Sequence, residues 1–126
     1  WISHVFVYGT LMTNRQRWAQ LKPWSSGPVQ DGSVRGRLYD LGAYPGLRLD
    51  EQGVVHGELH RCDDLAGALG ELDVIEGHNV FDPSEGLYIR TPVLVRTASG
   101  SVWAWTYIIN AMPDHTSVVP DGRWTS

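Results

Sequence analysis

A single cysteine, Cys62, stands in a chain of 126 residues. No intrachain disulfide can form, and this cysteine usage points to a reducing, cytoplasmic compartment. Basic runs are missing too. The ten Lys and Arg residues are scattered and the formal net charge is −4, which argues against a nucleic-acid partner. No apolar stretch reaches the roughly 20 residues of a membrane helix, and no signal-peptide pattern opens the chain at Trp1. Repeats, low-complexity tracts and interior linkers are absent, as are a Walker loop, a GxGxxG fingerprint and an ordered Ser-His-Asp set. What remains is 42% hydrophobic and 19% charged residues, enough to exclude wholesale disorder and to build one domain over residues 1–126.

Pattern and punctuation divide that domain into strands with short inserted helices. Alternating, Val- and aromatic-rich residues predict a strand over Ile2–Tyr8, broken at Gly9. A short helix capped by Thr13 or Asn14 runs to about Leu21 and is ended by Pro23. Trp24–Gly32 reads as a loop, Ser33–Leu41 as a strand, and Leu47–Leu49 as a short strand after a turn cluster. Asp50–Gly53 reads as a hairpin-like connection into a strand over Val54–Arg61. A helix follows from Asp63 or Asp64 to Glu76, then a polar loop from His78 to Gly86. Leu87–Thr97 and Ser101–Ile109 form a hairpin, and the tail after Asn110 is irregular. Most connections are too short for parallel crossovers, so an antiparallel sheet or small closed barrel with packed helices, an α+β fold, is expected.

Within the second helix Leu65, Leu69, Leu72 and Glu76 recur at spacings of four, three and four, which places them on one face. A carboxylate on that stripe, at the negative end of the helix dipole and just before Gly77, has its proton affinity raised. That suits a general base near neutrality; the alternative is a helix-end glutamate that swings into solvent. Asp64, Glu71 and Asp73 fall on the wetter sides. Tyr8-Gly9-Thr10-Leu11, between strand and helix, can offer backbone amides to an anion, or be an ordinary turn.

His56, His60 and Cys62 share one side of an extended strand, but two residues advance about 7 Å and six about 20 Å, too far to share an ion easily. They read as sheet-surface or satisfied residues, and no metal is expected. Tyr88 enters its strand a dozen residues past Glu76, within reach of the same pocket or packed in the core. Trp103, Trp105 and Tyr107 alternate along the last strand and either line a pocket mouth or cover the sheet.

Several stretches then match one family in order and spacing. Val5-Phe6-Val7-Tyr8-Gly9-Thr10-Leu11, Tyr44-Pro45-Gly46, Val55-His56-Gly57-Glu58-Leu59, Leu72-Asp73-Val74-Ile75-Glu76-Gly77, Leu87-Tyr88-Ile89-Arg90 and Asp121-Gly122-Arg123-Trp124 together resemble the gamma-glutamylcyclotransferase-like (AIG2-like) proteins. The resemblance implies a small, mostly antiparallel β-barrel with flanking short helices and a cavity at one end. It implies Glu76 as catalytic acid/base, glutamyl binding by Tyr8, Gly9, Thr10 and Leu11, and Tyr88 as a pocket tyrosine. The implied substrate is a small γ-glutamyl amine or amide, cyclised to 5-oxoproline without metal or organic cofactor by a monomer or weak homodimer that binds neither nucleic acid nor membrane. A γ-glutamyl-ε-lysine or protected-metabolite substrate, and a non-catalytic binding module, are the rival readings. The loop from His78 to Glu85 varies among such proteins and is expected to help choose the leaving amine.

Overall fold

The period-two pattern of a half-buried strand is cleanest where Gly32, Val34, Gly36 and Leu38 are buried and Arg35 and Arg37 exposed. These residues lie in the second strand of the computed structural model, which describes residues 1–78, 86–112 and 116–125. The elements are β1 (His4–Val7), α1 (Trp18–Leu21), a 3-10 turn at Lys22–Trp24, β2 (Ser26–Asp40), β3 (Pro45–Arg61), α2 (Leu65–Ile75), β4 (Tyr88–Thr97), β5 (Gly100–Ile109) and β6 (Ser117–Val118).

Strand β3 pairs antiparallel with β1, His4 facing Arg61 and Val7 facing Glu58, and with β2 along most of its length. Strand β2 meets β4 at Ser33 and Arg96, and β4 and β5 form a hairpin from Tyr88–Ile109 to Thr97–Gly100. Strand β5 then returns to β1 in parallel, Val5 opposite Trp105, so five strands close on themselves. The Thr106 hydroxyl donates to the Phe6 carbonyl at 2.9 Å across this seam. The fold is therefore the expected small, mostly antiparallel barrel with two short helices. Phe6, Leu38, Leu47, Leu59 and Val95 are almost wholly buried, as is Leu72 of α2. Val5, Phe6 and Val7 are all buried because β1 is covered on both faces. Among the described residues no helix is long and apolar enough to cross a membrane.

Three local expectations give way. The Trp24–Gly32 loop is largely strand, because β2 begins at Ser26 and absorbs the Gly-Pro stretch in a register shift between Ser26 and Gln30, with Gly27 at φ 73°. Asp50–Gly53 does not separate two strands. Arg35 faces Val54 and Gly36 faces Leu49, so those four residues bulge from a continuous β3. The first helix shrinks to one α turn and a 3-10 turn, since Asn14 takes a left-handed φ of 63° that interrupts it.

Candidate active site

Glu76 is placed by the way α2 stops. At its start the Asp64 carboxylate accepts from the Gly67 N–H at 3.0 Å. At its end Glu76 is the C-cap and Gly77 follows at φ 67°. The Gly77 N–H reaches the Val74 carbonyl at 3.3 Å and the His78 N–H reaches that of Asp73 at 2.9 Å, the paired bonds of a Schellman stop. Replacing Gly77 with alanine strains this left-handed position, and its Cβ would lie 3.3 Å from that of Leu87. Gly77→Ala is expected to cost about 1–2 kcal/mol in chemical denaturation. An unchanged midpoint would show that the stop is not rigid.

Asp73, three residues before Glu76, overturns its expected place on the wet side of the helix. It is buried, 7% exposed, because two partners await it. The Tyr107 hydroxyl of β5 donates to its Oδ1 at 2.5 Å, and Arg90 Nη1 of β4 lies 3.2 Å from its Oδ2. Arg90 also stacks over the Trp105 ring at 5.3 Å, and its N–H donates to His78 Nδ1 at 3.2 Å. The Leu87 N–H reaches the Gly77 carbonyl at 3.0 Å. The last turn of α2 and the residues after it are thus fastened to both hairpin strands.

Opposite Glu76 runs the segment leaving β1. The Tyr8 hydroxyl donates to the Tyr107 carbonyl at 2.5 Å and accepts from the Leu47 N–H at 3.2 Å, tying three strand ends together. The Gly9 and Thr10 carbonyls are engaged by the Met12 and Arg17 N–H groups at 3.1 and 2.7 Å. Among the described residues no protein acceptor meets the N–H groups of Gly9, Thr10 or Leu11. Glycine at position 9 serves close approach: a Cβ there would sit 2.6 Å from Pro45 Cγ.

Between these walls lies a cavity of about 190 Å³. Tyr8, Gly9, Thr10, Leu11, Glu76 and Tyr88, the six residues singled out from sequence, all line it. It opens where the end of β1, the start of β3, the start of β4 and the end of β5 meet beside the C-terminus of α2. Burial pushes the Glu76 carboxyl up to about 7, against the opposing pull of the Arg17 guanidinium. Tyr8, Tyr88 and Tyr107 are held neutral, first by burial and then by nearby groups that include Glu76. Their hydroxyl protons are committed, that of Tyr88 to the Pro45 carbonyl at 2.6 Å. Burial thus brings the Glu76 carboxyl into the range where it can exchange a proton near neutrality, while the three buried tyrosines are held away from it.

Arg17 and Tyr107 also line the cavity and Asp73 stands behind it, although the sequence reading gave none of them a role in it beyond one option for Tyr107. The i, i+3 spacing of Asp73 and Glu76 was the available signal for one; for Arg17 it was only a cation soon after the turn. Of the aromatic stripe, Tyr107 turns into the pocket, Trp105 carries Arg90 and Trp103 is exposed. His60 is buried, bonded to Ser25 at 2.8 Å and Glu58 at 3.0 Å, and burial lowers its pKa. Cys62 is buried with its thiol pushed up to about 11, chiefly by that burial. His56 lines a separate groove, and among the described residues no three His, Cys, Asp or Glu form a metal cluster. Of the loop expected to choose the leaving amine, all but His78 lies outside the described residues.

A small closed barrel, hollowed at one end, with a buried carboxyl raised towards neutrality in the hollow, defines a pocket-bearing α+β protein. The family model for gamma-glutamyl cyclotransferase, AIG2-like proteins matches residues 5–126. A Vibrio cholerae protein named "Putative gamma-glutamylcyclotransferase" is 34% identical over 120 residues, 95% of this chain and 93% of that one. The chain belongs to the gamma-glutamyl cyclotransferase, AIG2-like family. Its fold is also that of an AIG2-like protein from Mus musculus, with TM-score 0.70, 24% identity, and 90% of this chain and 81% of that one covered. YkqA from Bacillus subtilis matches with TM-score 0.74 and 24% identity over 97% of this chain, which spans 39% of that longer protein.

Proposed function

We propose that the protein cyclises the glutamyl group of a small γ-glutamyl amide to 5-oxoproline and releases the amine. The observation that supports this most is the Glu76 carboxyl, poised at about 7, in one cavity with the amides of Gly9, Thr10 and Leu11. The substrate's α-amine is largely an ammonium ion at neutral pH, so a base must uncover its lone pair. Glu76 takes that proton. The nitrogen then attacks the γ-carbonyl carbon, and the amides meet the charge that gathers on oxygen. Collapse breaks the bond to the leaving nitrogen. In all, two protons leave the ammonium nitrogen and two arrive on the departing amine; Glu76 carries them in turn and ends ionised as it began. Attack is intramolecular, so holding the chain folded back on itself is most of the catalytic task. Tyr88 and Tyr8, with their hydroxyls tied to backbone, act as walls and not as acids. The chemistry needs no metal or organic cofactor.

The test is a panel of γ-glutamyl amides, comprising γ-glutamyl amino acids, γ-glutamyl-ε-lysine and γ-glutamyl alkylamines, assayed for 5-oxoproline. Release from at least one, with equimolar amine, is the expected result. Binding of 5-oxoproline without release from any would make the protein a binding module on the same fold.

A further inference from the structure

The cavity holds a second charge that the mechanism above leaves unused. Arg17 lines it, and is the one cation that does so among the described residues. Its backbone is fixed, because its N–H donates to the Thr10 carbonyl at 2.7 Å. As a residue Arg17 is only partly exposed, yet no ion pair or side-chain hydrogen bond engages it among the described residues. A guanidinium in a cavity lined largely by aromatic and aliphatic side chains, with five donors in a planar fork, is matched by a carboxylate.

Resting on the cyclotransferase reading, we propose that Arg17 pairs with the α-carboxylate of the glutamyl group, and so confines the enzyme to γ-glutamyl compounds whose α-carboxylate is unblocked. The assignment follows from what must sit beside Glu76. The amine that Glu76 deprotonates and the α-carboxylate hang from one carbon, so a cation near Glu76 is near that carboxylate. The leaving amine departs from the far carbon of the chain. With the α-carboxylate on Arg17, the Gly9, Thr10 and Leu11 amides are left for the γ-carbonyl oxygen. The pairing also has an electrostatic effect. Arg17 opposes the rise in the Glu76 pKa, and a carboxylate bound to it offsets that pull, so that the substrate's own ammonium takes the place of Arg17 as the cation acting on Glu76. The other polar groups facing Glu76 across the pocket, Tyr8, Tyr88 and Tyr107, stay neutral and do not offset this.

The experiment uses Arg17→Met, which keeps the apolar stem and removes the charge. Wild type and variant are compared on an accepted γ-glutamyl amide and on the same compound with its α-carboxylate converted to carboxamide. Wild type should favour the carboxylate about 10–100-fold, the worth of a charge-assisted pair, mostly through KM; the variant should narrow that gap to under about threefold. The acidic limb of kcat/KM, which reports the free enzyme, should move above about 7 in the variant whether or not substrate pairs with Arg17, so the carboxylate preference is the deciding readout. Binding of 5-oxoproline and 5-oxoprolinamide, measured by calorimetry, separates the two claims. Preference for the carboxylate that is lost in the variant, without turnover by wild type, sustains Arg17 and removes the catalytic reading. Turnover with equal losses on both substrates, or none, removes Arg17 and leaves the reaction standing. A wild type with no preference in either assay overturns the proposal.

Discussion

Glu76→Gln is expected to lower turnover of an accepted γ-glutamyl amide by about 10²–10⁴-fold, the range for a lost general acid/base. The amide matches the carboxyl in size and keeps its hydrogen-bonding reach, so the Schellman stop, the Asp73 pairing and the cavity shape all survive. Binding of 5-oxoproline should change far less than kcat. The pH dependence adds a second readout. With the Glu76 carboxyl at about 7, kcat/KM of the wild type should climb with pH through that value, and the climb should vanish in the variant. Stability should move the other way. The folded state holds the Glu76 proton more tightly than the unfolded chain, whose carboxyl titrates at about 4.5. The penalty for ionising it is therefore absent below about 4.5, grows between 4.5 and about 7, and is constant above. Glu76→Gln should accordingly be more stable at pH 8, by on the order of 1–3 kcal/mol after allowing for partial exposure, with the gain fading towards pH 4.5. Wild-type turnover in the variant would reduce Glu76 to a helix-end residue.

Asp73→Ala should be the most destabilising single change around the site. It strips the buried Tyr107 hydroxyl of its acceptor and the Arg90 guanidinium of its counterion. Breaking a fully buried pair costs about 3–5 kcal/mol. The Arg90 side chain is 26% exposed, so about 2–4 kcal/mol is expected by urea denaturation. Tyr107→Phe, which removes one hydroxyl, should cost about 1–2 kcal/mol. The double variant should show strong coupling, because both changes cut the same bond. Asp73 touches no substrate and acts by holding the last turn of α2. Since a displacement of about 1 Å can cost 10² in rate, kcat should fall about 10–100-fold while the acidic limb near 7 persists. If Asp73→Ala does not fold, Tyr107→Phe carries the test: unchanged kcat at both positions would mean that Glu76 needs no such support.

The strands and the second helix were legible because each carries its own period. The alternation in Ser33–Leu41 and the leucine spacing in α2 both survive in the fold, and the 98–100 turn is the tip of the β4–β5 hairpin. Misreadings fell where glycine and proline serve a bulge within a long strand and not a break between strands, as at Gly27-Pro28 and Gly53. The loop and Glu76 could be matched to one site because their motifs are local. What gathers around them is not local. Asp73 looks solvent-facing until Tyr107 and Arg90 arrive from strands whose positions no helical wheel records. Arg17 enters through a segment whose regular structure amounts to one α turn.

The parallel seam between β1 and β5 sets when this pocket can exist during folding. The Tyr8–Tyr107 bond joins residues 99 apart, and the Thr106–Phe6 bond joins residues 100 apart. Closing so long a loop is entropically costly, whereas the β4–β5 hairpin and the turns of α2 form from neighbours. A chain that has paired β2 with β3 and β4 with β5 and formed α2, but not its seam, has most of its secondary structure and no closed cavity. Catalytic competence and circular dichroism thus follow different events in refolding. If the proposed reaction holds, the return of 5-oxoproline release dates the meeting of β1 and β5.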